Sequence, residues 1–495
     1  MIAWIPELLY ANHRFGSGLA LVCDDDGVIS KISRVEELRD ENKINLPRRA
    51  MLPGMVNAHS HAFQRVIRGR TEYRTSEQRD TFWTWREMMY LAATRLTPED
   101  IYDASRMAFL EMALGGITAV GEFHYLHHAP NGQPYDDPNL LAKEVIRAAA
   151  DVGLRIALLR VAYARSGFQT EPNPEQARFI ETESDIYLKN LEALIESVRS
   201  PSVSEGNSAN LALPDSGASE TVWVGVAPHS VRAVPLDYLK RVIKYANKQD
   251  LKVHMHVAEQ PAEVSSCIEE YGRTPFAVLA TEGLLSKRFT AVHAIHVTPK
   301  AIPSFAETGA MICACPTTER NLGDGVVPAN EYLKHEVPIC LGTDSHAQID
   351  LLEDARELEY HLRLQKLERA VLNVRSPSVS EGRPFLGDAL TNGGASDSAE
   401  FLFDCATING ARSIGAPNGT LSAGKATDFF TVDLDDPSIA GSSNDDLLAS
   451  IVFAASRVAV REVVVGGKPI VSEGRHLIQE EVVERFKQLQ KRLWE

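Results

Sequence analysis

Between residues 54 and 341 the chain presents eight short apolar runs, most of them separated by amphipathic helical patterns. The runs are Gly54–Ala58, Ile117–Phe123, Arg155–Val161, Val222–Ala227, Lys252–Val257, Phe289–His293, Ala310–Ala314 and Pro338–Leu341. Each has the length of a strand rather than a helix, and unbroken apolar character is what a strand buried on both faces requires. The intervening segments carry helix signals. Thr97-Pro98-Glu99-Asp100 supplies an N-cap, a proline in the first turn and acids beside the positive helix end, and Gly115-Gly116 stops that helix. A second helix runs from about Pro138 to Asp151 and stops at Gly153; a long third one, Leu351–Leu367, follows the eighth run. Eight strand-then-helix units favour an α/β fold of one kind, a (β/α)8 TIM-like barrel, over a doubly wound sheet.

Both ends of the chain read differently. Leu19–Cys23, Asp24–Gly27 and Val28–Ile32 form a strand, turn, strand pattern; Asp428–Asp433 is strand-like, and Val463–Val471 is a hairpin about Gly466-Gly467. The expected organisation is a small β-sandwich domain built from residues 1–52 and 419–480, a barrel over 53–418, and a C-terminal helix over 481–495. Two segments, 198–220 and 374–398, are rich in Ser, Gly, Asn and Ala and read as inserted loops. Each opens on the same nine residues, Val198-Arg-Ser-Pro-Ser-Val-Ser-Glu-Gly206 and Val374-Arg-Ser-Pro-Ser-Val-Ser-Glu-Gly382. A duplicated insertion in exposed loops is the favoured reading; a pair of Ser-Pro recognition or phosphorylation sites is the alternative.

Charge narrows the partners. A formal net charge of -16 argues against nucleic acid or an anionic membrane, both of which need basic patches. A small anionic substrate stays open, because a few local arginines can outweigh the global field. No stretch approaches a membrane span, and Met1-Ile-Ala-Trp-Ile-Pro6 lacks the basic and apolar regions of a signal peptide. The six cysteines are scattered among apolar neighbours, which fits a reducing cytoplasm.

The chemistry-bearing residues gather at strand ends. Asn57-Ala-His59-Ser-His61 closes the first run, and two histidines two apart on an extended segment point to one side. Lys252-Val-His254-Met-His256-Val-Ala-Glu259 closes the fifth; His256 lies nearer the C-terminal mouth and is taken as the ligand, with His254 left open as a core histidine. His293 ends the sixth run, and Asp344 follows the eighth in Leu341-Gly-Thr-Asp344-Ser-His346. Barrel enzymes keep their active sites at these C-terminal ends. Neutral imidazoles with one carboxylate suit Zn²⁺, with Fe²⁺ as the alternative. His59, His61, His256 and Asp344 are therefore the expected ligands of one divalent ion that lowers the pKa of a water. Asp344 would accept the water's proton, His293 would stabilise the oxyanion or hold the attacking hydroxide, and Glu259 would be the proton shuttle.

This arrangement resembles the amidohydrolase superfamily, in the deaminase branch that uses one metal and no carbamylated lysine. The fourth run offers Ala227-Pro-His229-Ser and no lysine. Further segments, His59–Arg65, Phe82–Tyr90, Glu122–His128, Pro228–Ala233 and His256–Gln260, resemble the formimidoylglutamate deiminases, over nearly the whole chain. That resemblance implies hydrolytic release of ammonia from a small dicarboxylate in histidine degradation. It implies Arg232 and Arg86 as forked carboxylate partners, Tyr125 as a further hydroxyl, and Gln64 and His229 near the reacting carbon. His124, His127 and His128 are read as structural or pocket-lining. A homodimer is the expected assembly. The alternative function is deamination of an aminoheterocycle such as guanine or an adenosine derivative. A degenerate barrel serving as a scaffold would lack ligands, and the full set is present.

Overall fold

Residues 1–73, 82–199, 221–373 and 396–495 are described in a computed structural model. Most of the two Ser-rich segments, including the shared motifs from residue 200 and from residue 374 onward, lies outside the described residues. One outer edge of each differs from the expectation. Val198 and Arg199 end the helix Ser184–Arg199, and Ser396–Ala406 is a helix.

The N-terminal strands are β1 Ile2–Ala11, β2 Arg14–Ser17, β3 Leu19–Cys23, β4 Ile29–Arg34 and β5 Asn42–Pro53. The barrel strands are β6 Met55–Ser60, β7 Ile117–His124, β8 Arg155–Ala162, β9 Val222–Pro228, β10 Val253–Val257, β11 Phe289–His293, β12 Met311–Ala314 and β13 Ile339–Leu341. The C-terminal strands are β14 Phe429–Asp433, β15 Val460–Val465, β16 Lys468–Ser472 and β17 Arg475–His476.

Strands β6 to β13 pair in sequence order, each parallel to the next. A parallel bridge between Ser60 and Asp344 joins the first strand to the segment after the last and closes the ring. β6, β7 and β8 are buried along their whole length, as the unbroken apolar runs require. Gly342 is needed at the seam, where a Cβ would come within 2.6 Å of the His59 Cβ.

The remaining nine strands form one mixed sheet from both termini, ordered β17-β16-β15-β14-β5-β1-β3-β4 with β2 on β1. It wraps a separate small core of Trp4, Leu9, Leu21, Met51, Phe429 and Val464. Gly466 and Gly467, both at positive φ, make the tight turn between β15 and β16. This sheet meets the barrel at the N-terminal ends of its strands. Arg155 at the start of β8 donates to both oxygens of Asp428 ahead of β14, at 2.7 and 3.0 Å. The opposite end is left open for a site. The last helix, Gln479–Trp494, docks on the helix Pro98–Leu114 through Arg106 and Glu481.

Candidate active site

Strand alternation and burial bring four side chains to one point at the C-terminal mouth. His59 Nε2 lies 3.2 Å from His61 Nε2 and 3.2 Å from His256 Nε2. Asp344 Oδ1 is 3.3 Å from His59 Nε2 and 3.1 Å from His61 Nε2. One ligand atom from each of the four lies within 4.8 Å of the others, and all four residues are buried. The outer nitrogens explain the aim of the inner ones. His61 Nδ1 donates to the Phe123 carbonyl at 3.0 Å and His256 Nδ1 to the His229 carbonyl at 3.1 Å. With those protons committed, the neutral rings turn lone pairs toward each other, and lone pairs cannot hydrogen-bond to lone pairs. Burial, reinforced by neighbouring rings, holds His256 well below the usual histidine range; burial likewise lowers His59 to about 3. Burial alone would raise Asp344, but the surrounding imidazoles outweigh it and hold the carboxyl well below its usual range. Converging neutral imidazoles beside a carboxylate fit one divalent cation.

A second layer lies beside this point. His293 Nε2 is 3.7 Å from Glu259 Oε1 and 3.8 Å from Asp344 Oδ2. Burial works against protonating His293, yet the Glu259, Glu319 and Asp344 carboxylates overcome it and raise the ring to about 10. Burial holds the Glu259 carboxyl above the ordinary range, which suits an acid. The Glu259 backbone N–H donates to Glu263 Oε2 at 3.1 Å, and burial lifts Glu263 to about 7. Three strand exits are left-handed: Ala258 at φ 53, His293 at φ 66 and Asp344 at φ 45. Such positions cost on the order of 1–3 kcal/mol each and cluster where side chains must be aimed.

The four-residue centre opens into a cavity at the mouth of the barrel. Every residue expected at the substrate, Gln64, Arg86, Tyr125, His229 and Arg232, lines it, together with Glu259. Gln64 Nε2 donates to the Tyr125 hydroxyl at 2.7 Å. The Arg86 guanidinium stacks over Trp83 at 4.4 Å and Tyr90 at 5.4 Å, and its buried Nη1 has no hydrogen-bond partner among the described residues. Arg232 Nη1 donates to the Ser166 carbonyl at 3.3 Å. The His229 ring lies 4.6 Å from that of Tyr163.

Other histidines separate cleanly. His254 Nε2 donates to the Ser413 carbonyl at 3.2 Å, outside the converging group. His127 and His128 bond the Val161 and Ile180 carbonyls, and His124 is buried. Sequence reasoning missed Tyr90, Tyr163, Glu263 and Glu319. Tyr163 had a usable signal, since it directly follows β8 at the mouth. A further group, His293, Cys315 and Glu319, also places three ligand-type atoms within 4.8 Å of one another. Its contact between His293 Nδ1 and Glu319 Oε1, at 3.3 Å, is a hydrogen bond in its own right.

The model of the amidohydrolase family matches residues 50–470. A formimidoylglutamate deiminase of Pseudomonas aeruginosa is 36% identical over 488 residues, covering 98% of this chain and 97% of that protein. The chain belongs to the amidohydrolase family. Its members are hydrolytic enzymes, so the scaffold reading is set aside. A family structure from Brucella melitensis superposes with a TM-score of 0.84 at 30% identity, covering 100% of both chains. A 5-methylthioadenosine/S-adenosylhomocysteine deaminase of Pyrococcus abyssi is 26% identical, covering 91% of each chain.

Proposed function

We propose that this amidohydrolase hydrolyses N-formimidoyl-L-glutamate to N-formyl-L-glutamate and ammonia, in the cytoplasm, as a step of histidine degradation. The observation that carries the proposal is the pair of arginines, Arg86 and Arg232, lining one cavity with Glu259 and Asp344. The substrate has two carboxylates, anionic at neutral pH, and an overall acidic protein needs local positive charge to hold them. Likeness to the Pseudomonas aeruginosa enzyme over nearly the full length supports the same reading. In it, residues 53–418 form the catalytic unit, residues 1–52 with 419–480 the supporting β domain, and 481–495 a closing helix.

His59, His61, His256 and Asp344 would hold one divalent ion, Zn²⁺ or Fe²⁺ by donor type, which when bound lowers the pKa of water toward neutrality. Asp344 takes a proton from the water that attacks the formimidoyl carbon. His293 stabilises the oxygen as charge develops on it. Glu259, whose carboxyl burial raises, gives a proton to the terminal nitrogen, because ammonia leaves only once that nitrogen is protonated. The carbon–nitrogen bond then breaks; for the cationic formimidoyl group the remaining hydroxyl proton passes to the leaving ammonia as the carbon–oxygen bond becomes the formyl carbonyl, ammonium departs, and the proton held by Asp344 returns Glu259 to its starting state. Gln64 and His229 orient the formimidoyl group; Arg232, Arg86 and Tyr125 fix the carboxylates.

A second reading is deamination of an aminoheterocycle, favoured by the aromatic wall of Phe82, Trp85 and Tyr163 and by the Pyrococcus abyssi relative. Ammonia release by purified holoenzyme separates the two. We expect turnover of formimidoylglutamate well above that of formimidoylaspartate, guanine or an adenosine derivative. Preference for a heterocycle would overturn the dicarboxylate reading. His256→Ala should lose most of about one equivalent of bound metal; full retention would overturn the ligand set.

A further inference from the structure

His293 ends β11 in a left-handed conformation, φ 66, and a histidine's ring torsion is broad, so the backbone alone leaves the ring plane weakly determined. Two contacts determine it. One face stacks on His256, ring centroids 5.5 Å apart and planes 16° off parallel. The other contact is polar: Nδ1 lies 3.3 Å from Glu319 Oε1. Glu319 is 1% exposed, and the same oxygen accepts the Cys315 backbone N–H at 2.8 Å, so the carboxylate cannot swing away. On the far side of the ring, Nε2 faces Glu259 and Asp344 at 3.7 and 3.8 Å and is buried without a hydrogen-bond partner among the described residues.

We infer that Glu319 is a positioning residue for the reaction, fixing the His293 ring so that Nε2 faces the reacting carbon. The inference rests on the function proposed above. The Glu319 Oε1 that already accepts the Cys315 N–H acts as an acceptor here, so Nδ1 carries a proton in either charge state of the ring. Nε2 is then the nitrogen left to exchange a proton or donate to the attacking oxygen. A half-turn of the ring would put carbon where both nitrogens now lie, losing the Glu319 bond and the catalytic nitrogen together. Cys315 follows β12 directly, so the pairing of β11 with β12 sets the distance between histidine and carboxylate. The site is thereby held by two neighbouring strands instead of one side chain's preference.

The test compares holoenzyme with Glu319→Gln, Glu319→Ala and Glu319→Asp. Readouts are kcat, KM, metal content and the ¹⁵N resonances of His293, assigned by their loss in His293→Asn. Outer partners of metal-ligating histidines are worth roughly 10- to 100-fold, and the same range is expected for the fall in kcat of Glu319→Ala at this catalytic histidine. KM should stay within about threefold and metal near one equivalent, because ground-state binding is untouched. The Nδ1 proton signal should be lost in Glu319→Ala, and Glu319→Asp should recover part of kcat. A kcat within about twofold of wild type in both Ala and Gln variants overturns the role. So does joint loss of metal and kcat repaired by added zinc, which would make His293, Cys315 and Glu319 a metal site. If wild type ignores formimidoylglutamate, the substrate reading fails; the same comparison on whichever substrate releases ammonia still decides Glu319.

Discussion

The two ends of the barrel both bury charge, and they treat it in opposite ways. At the N-terminal end Arg155 and Asp428 are fully enclosed and tied by two hydrogen bonds. Asn418 Nδ2 and the Gly466 N–H also donate to Asp428, at 2.9 and 2.8 Å. At the C-terminal end His59 Nδ1, His293 Nε2 and Arg86 Nη1 are buried with no partner among the described residues, and Ala258, His293, Ala294, Asp344 and His346 are left-handed. Buried polar groups in proteins are ordinarily paired. The Arg155–Asp428 pair holds the fold; at the mouth, groups left open beside one another are free to meet a ligand. Asn418 Oδ1 and Thr427 Oγ1 are unpaired among the described residues at the N-terminal end too, so what marks the site is the convergence of open ligand-type groups on one point.

The widest separation between the ends should come from Glu259→Gln, which keeps shape and removes the shuttled proton. Turnover should fall by about 10²–10⁴-fold with metal content and melting temperature preserved. Near-normal turnover would move the acid role to His229 or His293. At the other end Arg155→Met should cost about 3–5 kcal/mol of stability by stranding a buried Asp428, seen in denaturant melts. The folded fraction should keep its kcat and KM; a loss of catalysis beyond the loss of folded protein would erase the contrast. Returning to the mouth, Arg232→Met should lower kcat/KM for the dicarboxylate by about 30-fold or more, metal unchanged. Unchanged turnover would break the substrate reading while leaving the site in place. The smallest effect concerns pH. Burial, with Arg160 nearby, holds His124 at about 3, against 6.5 in an unfolded chain. The unfolded state therefore binds this proton first, so the contribution is intact above pH 6.5 and is lost as pH falls toward 3. His124→Asn should flatten the fall of melting temperature over that window; an unaltered slope would assign the acid sensitivity elsewhere.

Much of the mouth was legible in the chain because strand periodicity is local. His59 and His61 share a side by alternation alone, and Leu341-Gly-Thr-Asp344 places its carboxylate just beyond a strand. The eight apolar runs match β6 to β13 to within about two residues at either end. What stayed hidden depends on partners far along the chain. β5 contains Pro47 and paired arginines and does not read as a strand; it forms because β1 and β14 flank it, with a bulge at Pro6–Leu8 and Arg48 at φ 58. The Arg155–Asp428 clamp joins residues 273 apart. Glu319 belongs to no motif, and only the β11–β12 pairing brings it to His293. The Ser-rich segments were bounded by composition, which cannot see that Val198 and Arg199 finish a helix.

The seam of the ring has a consequence for how the protein is made. Asp344 donates its N–H to the His59 carbonyl and accepts the His61 N–H, each at 3.1 Å, while Asn57 and Thr343, 286 residues apart, exchange two more bonds. The proposed ion would therefore clasp the first strand to the last across that same seam. A growing chain carries the His59–His61 pair from early in synthesis, but its fourth ligand emerges only after seven further strands have been made. Nascent or truncated chains would hold metal poorly, and an ion once seated would resist reopening of the ring, as a buckle does on a belt. Metal occupancy would then report that the barrel has closed as well as that the enzyme is ready to act.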